Sequence, residues 1–169
     1  MERYTLGILV NNQPGVLSRV VGLFSRRGYN IDSLSVGETE DPKISRITIV
    51  VTGDRPIVEQ IEKQVAKLID VITVVELTLQ GSIQCELLLV KVTTSEKTRA
   101  AVVELSEIFK AKIMDVTETT LTMQITGNMD KVASFLHLLR PYGITELVRT
   151  GMTAMERGSQ AMVNHRDED

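Results

Sequence analysis

The 169-residue chain has a formal net charge of −3, with 43% apolar and 24% charged residues, an ordinary globular balance with room for two small domains. It has no basic block and no Trp, and aromatics reach 4%; nucleic acid is excluded as a main partner, because phosphate binding uses clustered Lys and Arg and single-strand binding uses stacking rings. No apolar run approaches the roughly 20 residues of a membrane span, no basic-then-apolar leader opens the chain, and the lone Cys85 cannot make an internal disulfide; a cytoplasmic protein is expected.

Residues Tyr4–Val10 alternate as a strand, with Tyr4, Leu6, Ile8 and Val10 on one face. Asn11-Asn12-Gln13-Pro14-Gly15 is a turn, and Val16, Leu17, Val20, Val21, Leu23 and Phe24 then recur at helical spacing. The helix is expected over Gly15–Arg27, with Gly28 past its end as a left-handed terminator. Strands follow over Asn30–Glu38 and Ile44–Val51, joined by the polar Thr39–Lys43 turn. Asp54 and Pro56 open a second helix with its stripe at Ile57, Ile61, Val65 and Leu68. Val71–Leu79 closes a βαββαβ order, the split-βαβ unit of ferredoxin-like folds.

Gln80-Gly81-Ser82 reads as a seam, after which the same order returns. Ile83–Val92 is a strand, and Ser95 caps a helix carrying Val102, Leu105, Ile108 and Phe109. Strands Lys112–Val116 and Thr119–Ile125 precede a helix capped by Asn128 and carrying Met129, Val132, Phe135, Leu136 and Leu139. Pro141-Tyr142-Gly143 stops it, and Ile144–Arg149 is the last strand. The expected class is α+β, two tandem ferredoxin-like βαββαβ domains over residues 1–79 and 80–157, with a mobile polar tail at 158–169. Two helices cover only one face of a four-stranded sheet, so the other face, or the sheet edges, must meet something else, and a dimer through the first domain is the simplest answer.

Catalytic constellations are missing. His137 lies on a helix and His165 in the tail, neither with metal-ligand spacing, and Cys85 has no Cys-x-x-Cys partner. Glu38, Glu40 and Asp41 read as a solvated loop. No nucleotide-binding glycine motif and no nucleophile elbow occurs, and no nucleophile–base pair suggests an enzyme. The turn at Asn12–Gly15 is more informative. A helix start offers unpaired N–H groups and the positive end of the backbone dipole, and Gly15 leaves the approach open. Asn12 and Asn30 carry amides that donate and accept. These groups suit a small zwitterion, although turn geometry alone also explains the asparagines.

The string Asn12-Gln13-Pro14-Gly15-Val16-Leu17, followed by a helix ending in Arg27-Gly28-Tyr29-Asn30-Ile31, resembles the ACT domain family of amino-acid-binding regulatory modules. Leu23–Val36, Ser45–Ile49 and Gln60–Val71 make the chain similar, more narrowly, to the regulatory (small) subunits of acetolactate synthase. The similarity runs from about Tyr4 to about Gly158 and is carried in the second half mainly by layout and by Glu86–Val92. It implies an N-terminal ACT domain and a C-terminal ACT-like domain, a homodimer, and a catalytic large subunit as partner. Thiamine diphosphate, magnesium and FAD would sit in that partner and no cofactor in this chain. It further implies activation of the partner and feedback inhibition by valine or a related branched-chain amino acid. The effector would lie between two ACT domains, with Asn12, Gly15 and Val16 from one chain and Asn30 and Ile31 from the other. The alternative is a free-standing ACT-type sensor acting on another enzyme or on transcription. A helix start accepts Asp well, so Gly15→Asp is expected to leave the fold intact.

Overall fold

The computed structural model describes residues 2–162. The chain forms two compact units, one of Met1–Gln84 together with the segment that begins at Met152, the other Cys85–Gly151.

The first unit contains β1 (Glu2–Asn11), α1 (Val16–Arg26), β2 (Ile31–Glu38), β3 (Ile44–Gly53), α2 (Arg55–Ala66) and β4 (Val71–Glu76). Its strands form an antiparallel sheet in the order β2-β3-β1-β4, the ferredoxin-like arrangement expected from the sequence. Leu6, Ile8 and Val10 of β1 and Ile47, Ile49 and Val51 of β3 face Val20, Phe24, Val58, Ile61 and Val65 of the helices. Burying each aliphatic side chain contributes about 1.5–3 kcal/mol. Gly28 ends α1 as expected. At φ 69° it lets Tyr29 N–H reach Phe24 O (3.0 Å) and Gly28 N–H reach Ser25 O (3.1 Å), the paired bonds of a glycine-terminated helix.

Strict alternation along β4 is broken. Leu9 pairs with Thr73 but Val10 with Val71, so Ile72 is an extra residue. Val71 and Val74 therefore both reach the core. In α2, Glu59 pairs back to Arg55 (3.1 Å), which also meets Glu76.

Part of the far face of this sheet is covered by the chain itself. After Gly151 the chain forms β9 (Thr153–Glu156), which pairs with β5 (Ser82–Thr93). Met152 donates its N–H to Ser33 Oγ (2.6 Å), and Arg46 Nη2 donates to Ala154 O (2.8 Å). Met152, Ala154 and Met162 are buried, as are Thr5 and Thr48 on this face. The expected tail thus starts with a packed residue at Met162; residues 163–169, His165 among them, lie outside the described residues. Burial lowers the pKa of the Arg46 guanidinium, an effect opposed by the Glu156 carboxylate.

The second unit repeats the layout with most of β5, then α3 (Arg99–Ile108), β6 (Lys112–Val116), β7 (Thr120–Gly127), α4 (Met129–Leu139), a 3-10 turn at Arg140–Tyr142 and β8 (Ile144–Arg149). The order β6-β7-β5-β8 matches the first sheet, and the register shift recurs at the same place, between Lys91 and Val92. Asn128 caps α4 as expected, accepting from Lys131 N–H (2.9 Å). The first residue of α3 follows Thr98 rather than Ser95, which forms the preceding turn. Ile108 falls off the Val102–Leu105–Phe109 face and is exposed, while Phe109 packs on Phe135 at 5.2 Å. Cys85 is half-buried.

Gly7 lies under the returning segment. A Cβ there would stand 3.0 Å from Arg46 Nη2, 3.0 Å from Met162 Sδ and 3.1 Å from Leu77 Cδ1. Gly7→Val is expected to lower the unfolding free energy by about 1–3 kcal/mol, the usual range for overpacking. Urea unfolding of the full chain measures it; a variant as stable as the parent would show that the segment does not press on β1.

Candidate functional site

The turn after β1 is tied down by backbone bonds. Asn11 N–H donates to Asp70 O (2.9 Å), Asn12 N–H to Lys43 O (2.7 Å), Gln13 N–H to Asn11 O (3.0 Å) and Val16 N–H to Gln13 O (3.3 Å). Gly15 sits at the helix N-cap with φ 84° and ψ −9°, a left-handed conformation that costs an L side chain about 1–2 kcal/mol. Glycine is thus favoured by the backbone itself. An Asp there would meet that strain, which it would not meet at an ordinary extended cap. The helix leaves the N–H groups of Leu17 and Ser18 without an intrahelical acceptor. Val16 contributes no side chain to this surface, since it is buried in the core.

The side chains around the turn are held in definite orientations. Asn12 Nδ2 donates to Glu38 Oε1 (3.0 Å) and to Pro42 O (2.8 Å). With both amide hydrogens used, Asn12 offers its Oδ1 as an acceptor. Glu38, exposed at the end of β2, is thus tied to the turn through Asn12. Arg19, one turn into α1, bonds Asp70 Oδ2 through Nε (3.0 Å) and Nη2. Its Nη1 lies 3.4 Å from where a Cβ of residue 15 would be. A cation, two helix N–H groups and an amide oxygen beside a carboxylate thus share one small surface. These are complements to a carboxylate and an ammonium group respectively.

Asn30 and Ile31 are elsewhere. Tyr4 pairs with Val51 and Val51 with Ile31, whereas Asn11 pairs with Ile44 and Ser45 with Glu38. Ile31 and Glu38 are the two ends of β2, about 23 Å apart at about 3.3 Å per residue. One chain therefore brings Asn12, Gly15, Arg19 and Glu38 together but does not bring Asn30 and Ile31 to them. At its own end, Asn30 Nδ2 donates to Asp32 Oδ1 (3.0 Å), and Asp32 Oδ2 accepts from Thr52 Oγ1 (2.5 Å). Ile31 packs against the first core, half-exposed. Arg19, Asp70, Asp32 and Thr52 join these sites without having stood out in the sequence. Arg19 was detectable as the residue one helical turn after Gly15; Asp70 and Thr52 carry no local signal. Among the described residues no cluster of three or more His, Cys, Asp or Glu could hold a metal ion. His137 is exposed on α4. No helix of the described residues is long and apolar enough to cross a membrane.

Two family models match the chain. Residues 6–73 match the AHAS small subunit-like ACT domain, and residues 85–158 match the small subunit of acetolactate synthase. The chain is 50% identical over 158 residues to the probable acetolactate synthase small subunit of Archaeoglobus fulgidus, covering 94% of this chain and 99% of that one. It is 46% identical to the acetolactate synthase isozyme 3 small subunit of Salmonella typhimurium, covering 95% and 99%. The crystal structure of the small subunit of acetolactate synthase from Thermotoga maritima superposes with a TM-score of 0.86 at 39% identity, covering 95% of this chain and all of that one.

The left-handed Gly15 sets a graded expectation. Gly15→Ala should destabilise the chain by about 1–2 kcal/mol, and Gly15→Asn by less, because Asn visits that conformation more readily. Denaturant unfolding of both variants checks the order; equal stability of Gly15→Ala and the parent would show that the turn relaxes.

Proposed function

The chain belongs to the family of acetolactate synthase small subunits, and from that premise we propose that it binds the catalytic large subunit, raises its activity and makes it inhibitable by valine. Thiamine diphosphate, magnesium and FAD belong, in this reading, to the large subunit. The chain acts as a cytoplasmic homodimer that carries the effector on its first unit, at Asn12, Gly15 and Val16 of one copy and Asn30 and Ile31 of the other.

One observation carries the effector assignment: the candidate residues lie at opposite ends of β2, and β2 is an edge strand. An edge strand presents unpaired N–H and C=O groups to a second strand. Joining two β2 strands antiparallel about a two-fold axis sets the Ile31 end of one copy against the Glu38 end of the other. That pairing would complete two equivalent sites, each with the Gly15 turn of one chain and Asn30 of its partner. The effector carboxylate then meets the N–H groups of α1, and its ammonium meets the amide oxygens. A charge-assisted hydrogen bond contributes about 1.5–3 kcal/mol, a helix start about 0.3–1 and a small aliphatic side chain about 1.5–3. Before association costs these sum to about 3–7 kcal/mol, nearer millimolar than nanomolar affinity, which suits a metabolite sensor.

The decisive experiment adds the chain to its catalytic subunit and titrates valine, isoleucine and leucine against acetolactate formation. Activation by the chain and inhibition by valine are expected; a large subunit indifferent to the chain would overturn the reading. Asn30→Ala should weaken valine binding by about 1–3 kcal/mol while activation survives. Calorimetry giving an unchanged valine affinity would remove Asn30 from the site.

A further inference from the structure

The start of β2 contains a bulge that the effector reading leaves unexplained. Ile31 pairs with Val51 but Ser33 with Val50, so Asp32 is inserted between them. The insertion puts adjacent groups to separate uses. Ile31 and Leu34 pack into the core on the helix side. Ser33 is opposite Val50, on the far face, where its Oγ accepts the Met152 N–H at 2.6 Å. Asp32 itself is held from both sides, by Asn30 Nδ2 (3.0 Å) and Thr52 Oγ1 (2.5 Å). A short run of residues thus links a candidate effector ligand to the first residue of the returning segment. Met152 is 3% exposed, so its N–H has no solvent alternative to that serine.

The segment beyond Met152 is fixed at further points. Arg46 Nη2 holds Ala154 O (2.8 Å), β9 pairs with β5, and Arg157 Nε donates to Ser82 O (3.0 Å). Its Met152 end is continuous in sequence with Gly151, the last residue of the second unit. The bulge leaves Asp32 out of the ladder with β3, so the Asn30–Ser33 stretch is held by side-chain bonds where the ladder is interrupted. That stretch is therefore a place where the ladder of the first sheet is already interrupted.

We propose that the Asp32 bulge is the regulatory coupling element of the effector site, passing occupancy at Asn30 and Ile31 through the Ser33 Oγ–Met152 N–H bond to the segment that leads back from the second unit. The inference rests on the proposed valine site. Ser33 acts here as a positioning residue that does not touch the effector. The effector shifts the equilibrium only by the difference in its affinity for the two bulge arrangements.

Two measurements on the full chain test this. Hydrogen exchange at the Met152 amide, resolved by NMR, should change by about fivefold or more on saturation with valine, the lower end of ordinary allosteric coupling. Ser33→Ala, assayed with the catalytic subunit, should keep activation and valine binding by calorimetry, yet need about fivefold or more valine for half inhibition. A purely structural serine would move neither the valine-dependent exchange nor the split between binding and inhibition. If valine binds and inhibits while Met152 exchange stays constant and Ser33→Ala is inhibited like the parent, the coupling is overturned and the effector reading stands. If calorimetry shows no valine binding to the parent, the effector reading itself falls and the coupling with it. The exchange measurement on the parent chain decides the matter even where Ser33→Ala fails to fold.

Discussion

The antiparallel register of β1, β3 and β2 constrains everything that the first unit can do. Asn11 opposite Ile44, and Ser45 opposite Glu38, put the Gly15 turn at one end of the sheet. Val51 opposite both Tyr4 and Ile31 puts Asn30 at the other. A one-residue slip would turn every core side chain outward, so the buried rows Leu6–Ile8–Val10 and Ile47–Ile49–Val51 lock that separation. The division of the candidate site into halves is thus a consequence of core packing. No local rearrangement can close a gap of about 23 Å along a strand rising about 3.3 Å per residue.

The same sheet shows how a two-helix unit disposes of its second face. Thr48 and Val50 of β3 and Leu9 of β1 are buried on the side that α1 and α2 do not cover. A return segment covers part of that face, with Arg46 lying across it and Gly7 leaving the room. A fragment cut at Gln80 would lack that segment. Its far face would be bare, so its behaviour would report on lost packing as much as on the missing second unit.

Features that depend on near neighbours were legible in the sequence. Gly28 after an amphipathic helix, and Asn128 three residues before Lys131, act through bonds within one helical turn. The strand and helix order followed from periodicity, and the family from the Asn12–Leu17 and Leu23–Val36 strings. What escaped depends on distant pairs. Ser33 and Met152 are 119 residues apart, Arg46 and Ala154 are 108 apart, and Arg19 and Asp70 are 51 apart. None of these leaves a periodic trace, because each is one polar contact rather than a repeated apolar face. β9 was missed for the same reason: Thr153–Glu156 is short and carries little alternation. Gly15 was recognised as open to a ligand, but its left-handed backbone follows from the path of the turn and not from residue type.

The two halves of the candidate site differ in stiffness, and the difference has a physical origin. The Gly15 turn grows from β1, which is paired on both sides, and is held by backbone bonds to Lys43 and Asp70 and by the Arg19–Asp70 pair. Asn30 stands beside the Asp32 bulge and is held mainly through side chains. Ligand groups meeting the first half find their partners already placed, so little ordering entropy is lost there. Contacts to the second half can change what β2 touches. A regulator needs both properties: preorganised groups that give affinity to a small molecule, and a compliant element whose alternative states the molecule distinguishes.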